Sequence, residues 1–222
     1  MKICFLDNSL IPYTYNDLNS KNIRGGENIV IHLSNELSKL GNNIDVFNNC
    51  KDTAIINNVK WSNINKADKN LIYDIAFTNN DIRLFDKIIA KKYVAFSHSI
   101  QSIEKFIRKR QLTSYLKYKP KIVILGNYHN KNRNYLLKLF GTINLQWAVD
   151  PLFLETKLDE TLIENRAIFT SRRDRNLDIL IKIWREKIFP INKSIKLYTT
   201  PSELIDFKYN IFARNFGDKI TM

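Results

Sequence analysis

The fold is decided by one stretch of sequence, RGGENIVIHLSNELSKLG at residues 24–41, which follows a short apolar run at residues 3–6. Its apolar residues recur every three or four positions, which is the spacing of a helix that buries one face. Gly41 is a suitable C-terminal stop for such a helix. A strand, a polar loop and an amphipathic helix in this order predict the first unit of an α/β fold.

Short apolar runs continue to alternate with helical patterns further along the chain. We expect strands at 44–47, 73–78, 93–97 and 122–125, and helices at 82–90 and 100–118. Strands that alternate with helices usually pair in parallel, and helices then cover both faces of the sheet. The sequence therefore predicts a Rossmann-like domain that binds ligands at the carboxyl ends of its strands.

The pattern changes after Asp150. Pro151 breaks regular structure and a short acidic piece follows, which predicts a junction at 151–165. A new strand–helix–strand pattern then begins, and the sequence reaches Met222 after about one and a half such units. We therefore expect a first domain at 1–150 and an incomplete second Rossmann-like unit at 166–222.

Positive charge is concentrated in the middle of the chain. The formal net charge is +13, and the segment Lys91–Lys138 holds twelve basic residues and one acid, Glu104. Such a field favours an anionic partner, which could be lipid headgroups, nucleic acid or a phosphorylated small molecule. The alternative is a solvated lysine-rich face with no partner.

Aromatic residues are interleaved with these basic residues and could stack on bases. They are Tyr93, Phe96, Phe106, Tyr115, Tyr118, Tyr128 and Tyr135. No recognised nucleic-acid-binding motif accompanies them, and several fall at buried spacing, so the sequence favours an anionic membrane surface over nucleic acid.

The compartment and the metal content can also be predicted from the sequence. Two cysteines, Cys4 and Cys50, do not make a disulfide framework, which favours a reducing compartment. No apolar run approaches the ~20 residues of a membrane-spanning helix. We expect a cytoplasmic protein, peripheral at the inner face of a membrane, with no metal site because its histidines and cysteines are widely spaced.

Gly25 and Gly26 form the first candidate site. Adjacent glycines let backbone N–H groups approach a ligand closely, and the helix N-terminus behind them suits a phosphate or a sugar hydroxyl. A glycine pair before a helix is also ordinary turn chemistry, so the pair alone decides little.

His98, Arg172 and Arg175 form the other candidate sites. His98 follows a predicted strand at the ligand-binding edge, where an imidazole can accept a proton or donate to an oxygen, unless it is a loop histidine without a role. The two arginines precede a predicted helix, and arginine forks bind phosphates bidentately. Pairing with Asp174 on the surface is the alternative for these arginines.

Three segments, in this order, resemble the GT-B glycosyltransferases of family 4, also called group 1. The first is Gly25-Gly26-Glu27, followed by Leu33, Leu37 and Gly41. The second is AVDPLF at 148–153, and the third is FTSRRDRNLDIL at 169–180, followed by Trp184. Asn176 stands in the third segment where the family has glycine. The resemblance covers nearly the whole chain.

This resemblance implies a retaining transfer of a hexose from a nucleotide-sugar to a glycan or lipid-linked acceptor, as in the synthesis of cell-surface polysaccharide. The family fold implies two facing Rossmann-like domains, with the acceptor bound by the first and the nucleotide-sugar by the second, and no metal cofactor. Gly25, Gly26 and Glu27 would lie near the donor phosphates, and His98 would face the reacting sugar. Arg172 and Arg175 would hold the diphosphate.

The sequence departs from the family in its last part. The family's second domain includes a glutamate pair, E-x7-E, and no such pair follows Glu203. We therefore expect a partial or inactive enzyme as one reading. A basic nucleic-acid-binding module or a non-catalytic binding module remains the alternative.

Overall fold

The computed structural model describes residues 1–18, 20, 23–98, 102–145, 165–171, 175–199 and 206–213. The chain divides into two compact units, Met1–Ala148 and Val149–Met222. Nearly all of the predicted junction at 151–165 lies outside the described residues.

A single large sheet forms the first unit. The described residues give it eight strands, in the order β3-β4-β2-β1-β5-β6-β7-β8, and all but β3 run parallel. The strands are β1 (Lys2–Leu6), β2 (Asn43–Asn48), β3 (Ala54–Ile56), β4 (Val59–Asn63), β5 (Ile72–Asn79), β6 (Ile89–Phe96), β7 (Lys121–Ile124) and β8 (Thr142–Asn144). The predicted α/β class with a mostly parallel sheet is therefore confirmed.

The order of the strands indicates where along the sheet a ligand is expected to bind. Chain order runs outward from β1 in both directions, toward β2 and β4 on one side and toward β5, β6 and β7 on the other. In open sheets of this kind the crevice at such a reversal, beyond the carboxyl ends of the strands, is where ligands bind. That crevice lies here between the ends of β1 and β5.

Helices in the first unit follow the strands. They are α1 (Gly25–Lys39), α2 (Ile103–Arg108), α3 (Leu112–Tyr118) and α4 (Asn127–Asn132), with 3₁₀ turns at Tyr15–Asp17, Ile64–Lys66, Ile82–Lys87 and Tyr135–Lys138. In the described part of the chain, none of the helices has the length and apolar character needed to cross a bilayer.

Side chains of β1 alternate between two cores, one on each face of the sheet. Ile3 and Phe5 pack under α1, whereas Cys4 and Leu6 pack on the opposite face. The second core includes the buried rings of Tyr73, Phe85, Phe106 and Tyr115. Both faces are thus covered, which leaves the edges of the sheet for a ligand.

Two predicted helices differ from the structure. The 82–90 segment forms only a 3₁₀ turn at Ile82–Lys87, and Ile89 already belongs to β6. The 100–118 segment is broken into α2 and α3, because Arg110 takes a left-handed φ of 54°. Gln111, which is buried at the break, donates to the Asn80 carbonyl at 3.1 Å and fixes it there.

The second unit has a small parallel sheet. Its described strands are β9 (Arg166–Phe169), β10 (Lys196–Thr199) and β11 (Ile211–Ala213), in the order β11-β10-β9. A helix α5 (Leu177–Ile183) joins β9 to β10 and continues into a π-helical turn at Trp184–Ile188. Its core is built on Leu177, Ile181, Trp184, Leu197 and Ile211.

Candidate functional site

Polar residues gather at the carboxyl edge of the large sheet. Asp7 directly follows β1, Asn48 and Asn79 end β2 and β5, and His98 lies two residues after β6. Because carboxyl ends of parallel strands meet at one edge, these side chains surround the crevice at the reversal of strand order.

A chain of hydrogen bonds connects Asp7, Asn79 and His98 across this crevice. Asn79 Nδ2 donates to Asp7 Oδ2 at 3.2 Å, and His98 Nε2 lies 2.8 Å from Asn79 Oδ1. A carboxylate only accepts, so the amide nitrogen must face Asp7 and the amide oxygen must face His98. We therefore assign the proton of the neutral imidazole to Nε2, which donates to Asn79 Oδ1.

Asp7 is the centre of this network and is only 3% exposed. It also accepts from the Tyr13 hydroxyl at 2.7 Å and from the Ser9 backbone N–H at 3.0 Å. Burial raises the pKa of Asp7, and these hydrogen bonds oppose the rise. Burial and the charge of Asp7 hold the pKa of Tyr13 well above its usual range, so its hydroxyl stays protonated and donates.

Glu27 brings a second carboxylate to the same place. It is buried in the first turn of α1 and accepts a short hydrogen bond from the Ser9 hydroxyl. Its charge contributes to the raised pKa of Asp7. A carboxylate in the first turn is stabilised by the helix dipole, and its oxygens are acceptors of the kind that bind sugar hydroxyls.

The sequence had indicated a turn at Gly25 and Gly26 before α1. In the structure, these two glycines are instead the first two residues of the helix. Limited space, and not a left-handed backbone, favours glycine at Gly26. A Cβ on Gly26 would lie 3.0 Å from Asn79 Nδ2 and 3.5 Å from His98 Nε2, whereas a Cβ on Gly25 would meet nothing within 4 Å. The N-terminus of α1 is therefore packed against the Asn79–His98 pair.

The electrostatics of His98 keep its ring neutral. Burial lowers the pKa of the imidazole, and Lys105 lowers it a little further, while the carboxylates of Asp7 and Glu27 oppose the change. A neutral imidazole at neutral pH can donate to, or accept from, a bound hydroxyl group. Gly26 in the first turn of α1 lies beside the ring, since a Cβ on it would be 3.5 Å from His98 Nε2. The N–H groups of a helix's first turn have no acceptor within the helix.

The predicted site residues fall into two groups. Gly25, Gly26, Glu27 and His98 come together in the first unit, as described above. Arg175 is exposed in the second unit, before α5, and Arg172 lies outside the described residues. Asn176 has a φ of 66°, in the left-handed region that favours glycine and that asparagine tolerates better than most residues.

Asp7 and Asn79 were missed by reasoning from sequence. Both follow predicted strands directly, and a polar residue at the end of a buried parallel strand is a signal that could have found them. Tyr13 had no such signal, because its contact with Asp7 depends on how the polar loop folds back.

Some lysines of the basic segment Lys91–Lys138 form ion pairs with aspartates, and some of its aromatic rings are buried. Lys117 contacts Asp86 at 2.7 Å, and Lys91 contacts Asp74 at 2.7 Å. The rings of Phe96, Phe106 and Tyr115 are buried, so they cannot stack on bases, whereas Tyr128 and Tyr135 are exposed.

Across the described ranges, no cluster of three or more histidine, cysteine or acidic side chains could hold a metal ion.

No model of a known protein family matches the chain, and no curated protein gives a significant match to it. The geometry at the carboxyl edge therefore carries the functional inference.

Proposed function

We propose that the chain is a retaining glycosyltransferase of the GT-B type that transfers a hexose from a nucleotide-sugar to a glycan or lipid-linked acceptor. One observation carries the proposal. The N-terminus of α1 is packed against His98 and Asn79 at the strand-order reversal, with Gly26 so close that a Cβ would lie 3.0 Å from the Asn79 amide.

The groups at this edge match the parts of a nucleotide-sugar. The N–H groups of Gly25 and Gly26, at the positive end of a helix of 15 residues, suit a phosphate oxygen. The neutral imidazole of His98 and the nearby carboxylates suit the hydroxyls of the transferred sugar. Asp7 acts through Asn79 and is a positioning residue.

In the proposed reaction, the bond between the sugar's anomeric carbon and the diphosphate oxygen breaks. A bond from the acceptor hydroxyl oxygen to the same carbon forms, and the hydroxyl proton ends on the departing diphosphate. Neutralising the leaving diphosphate lowers the barrier, and helix N–H groups and arginines are suited to that role. Arg175 and Arg172 are assigned to it by their resemblance to the family segment.

The charge of the first unit supports an acceptor at an anionic membrane surface on the cytoplasmic side. Basic residues near such a surface each contribute about 1 kcal/mol of attraction. The buried rings of Phe96, Phe106 and Tyr115 make nucleic acid the weaker alternative.

A turnover assay tests the proposal. The purified chain is incubated with UDP-, GDP-, ADP- and TDP-sugars, with and without vesicles of anionic lipid, and release of nucleoside diphosphate is measured. We expect turnover of at least one donor and a fall of about 100-fold or more in kcat for His98→Gln, since removal of one preorganised hydrogen-bond donor costs about 100- to 1,000-fold.

The control is His32→Gln, which makes the same change at an exposed position of α1. It should leave kcat unchanged. Absence of turnover with every donor, or an equal loss in both variants, would contradict the proposal.

A further inference from the structure

Tyr115 joins several elements of the first unit into one layer. Its ring centroid lies 4.9 Å from that of Phe106 in α2 and 5.1 Å from that of Phe140. Its hydroxyl donates to the Leu137 carbonyl, in the 3₁₀ turn Tyr135–Lys138, at 2.7 Å. Phe106, Tyr115 and Leu137 belong to the same core, on one face of the sheet. The helices α2 and α3 and this 3₁₀ turn therefore cover that face together.

Large apolar side chains lie on the outer side of this layer. Each of them is more than half exposed, and each is one or two residues away from Phe106, Tyr115 or Leu137, which point into the core. The exposed side chains are those of Ile107, Leu116, Tyr135 and Leu139. Apolar side chains gathered on one surface and surrounded by polar ones are typical of a contact with a membrane or a protein.

Exposed basic residues accompany these apolar side chains. They are Arg108, Lys109, Arg110 and Lys119. Lys117 is exposed as well, but Asp86 neutralises it at 2.7 Å. Glu104 is the one acidic residue in the sequence of α2 and α3. The four basic and the four apolar residues together form what we call the basic face, and its charge favours an anionic partner.

Arg133 adds a further positive charge beneath the basic face. Its side chain is only 4% exposed, donates to the Leu137 carbonyl and lies 3.5 Å from the Tyr115 hydroxyl. In the described structure its Nε and Nη1 have no hydrogen-bond acceptor. The field of a buried charge is weakly screened, because the surrounding dielectric constant is low. Arg133 therefore strengthens the attraction of this layer for an anionic surface.

We propose that the basic face docks on an anionic lipid bilayer. The apolar side chains enter the boundary between headgroups and acyl chains, and the basic side chains contact the lipid phosphates. Three of the four apolar residues, Ile107, Leu116 and Leu139, are aliphatic. Aliphatic side chains suit acyl chains, whereas a single-stranded nucleic acid is bound by aromatic rings that stack on its bases.

The basic face adjoins the candidate site. The helix α2 begins five residues after His98, and Gln111, between α2 and α3, donates to the carbonyl of Asn80, which follows Asn79. A bilayer on this face would bring a lipid-linked acceptor close to His98. The proposal rests on the membrane acceptor of the proposed function and names the surface that meets the lipid. Vesicle binding needs no donor, so it can succeed where turnover fails, and the reverse also holds.

Flotation of the whole chain with vesicles tests the proposal, and no nucleotide is added. Phosphatidylcholine vesicles with and without phosphatidylglycerol are compared at low salt and at roughly 1 M NaCl, where charges are screened beyond about 3 Å. We expect binding that requires phosphatidylglycerol and that is weakened by the salt but not abolished, because the inserted apolar side chains are not screened.

Two pairs of matched variants locate the surface. Leu116→Gln should weaken vesicle binding by about tenfold, because an apolar side chain no longer leaves water. Ile55→Gln makes a similar change in β3, at the other end of the sheet, and should have less than about a twofold effect. Lys109→Gln should weaken binding by about fivefold, and Lys60→Gln, at an exposed position of β4, by less than about twofold.

A fluorescent label measures insertion directly. Cys4 and Cys50 are buried, so an environment-sensitive fluorophore can be attached to the new thiol of Leu116→Cys. The labelled Ile55→Cys variant is the control. We expect the emission of the label at position 116 to shift to shorter wavelength when anionic vesicles are added, and the label at position 55 to show no shift.

Three results would overturn the proposal. The first is absence of binding to anionic vesicles. The second is equal weakening by Lys109→Gln and Lys60→Gln with no shift of the label at position 116, because the attraction would then come from the net charge of the whole chain. The third is a single-stranded oligonucleotide that displaces the vesicles and loses affinity in Leu116→Gln, which would assign the basic face to nucleic acid.

Discussion

At the scale of single residues, the contact between Gly26 and the Asn79–His98 pair defines the candidate site. A Cβ on Gly26 would lie 3.0 Å from Asn79 Nδ2, so a side chain there would force Asn79 to shift by a few tenths of an ångström, whereas Gly25 has open space. Alanine substitutions at Gly25 and Gly26 therefore make the same chemical change in different surroundings.

Gly26→Ala should break the hydrogen-bonded chain from Asp7 to His98. Alanine favours a helix more than glycine does, but the new methyl group would press on Asn79 Nδ2, which is bound to Asp7. Overpacking of this kind costs about 1–3 kcal/mol. Urea unfolding should show Gly26→Ala to be less stable than Gly25→Ala, and equal free energies of unfolding for the two variants would contradict this account.

The lowered pKa of His98 gives stability a predictable dependence on pH. Below the ordinary value of 6.5, the unfolded chain takes up a proton that folded His98 does not take up. Stability should therefore fall as the pH decreases through that value, by at most about 1.4 kcal/mol for each unit of difference between the two pKa values.

His98→Gln removes this contribution. The free energy of unfolding of the wild type, relative to His98→Gln, should decrease between pH 7.5 and pH 5.5. His32→Gln serves as the control for a histidine at an exposed site. Parallel pH profiles of the wild type and His98→Gln would show that burial does not disfavour the charged ring.

At the scale of elements, the central strands could be predicted because each contains a short continuous apolar run, which is typical of a parallel strand with both faces covered. The helix at 100–118 was predicted as one element, and its break depends on Gln111 reaching the distant Asn80 carbonyl. His98 could be proposed from its place after a strand. Its link to Asp7 through Asn79 could not, because Asp7 and Asn79 are 72 residues apart in sequence and meet only in the folded sheet.

The C-terminal cap of α3 predicts how a substitution there changes stability. Lys119 ends the helix with a left-handed φ of 45°, and Pro120 follows it. Glycine adopts this conformation at little cost, so Lys119→Gly should raise the free energy of unfolding by about 0.5–1 kcal/mol. Thr113→Gly, at an exposed position within α3, should lower it by about 0.3–0.5 kcal/mol, which is the difference between the helix propensities of threonine and glycine. Thermal unfolding measures both variants, and a loss of stability in Lys119→Gly would contradict the assigned cap.

At the scale of the whole molecule, the two units differ in the size of their cores. The first unit has large cores on both faces of its sheet, whereas the described core of the second unit centres on Trp184 and a few aliphatic residues. Small cores bury a smaller share of their surface and open more readily.

Hydrogen exchange should therefore separate the two units. Amides of β10 should exchange with solvent faster than amides of β1, because opening the second unit exposes less apolar surface. Mass spectrometry of peptic peptides that cover Lys196–Thr199 and Lys2–Leu6 measures this difference. Equal protection of the two strands would indicate that the units unfold together.

We propose that the first unit holds the sugar of a bound nucleotide-sugar at a site built around His98. Calorimetric titration with nucleoside diphosphates and their sugar conjugates measures this binding. We predict that the wild type binds at least one nucleotide-sugar at a single saturable site. His98→Gln should weaken binding of the sugar conjugate about tenfold and leave binding of the bare diphosphate unchanged, because the imidazole faces the sugar. If no nucleotide binds, or if both ligands weaken equally, the claim is contradicted.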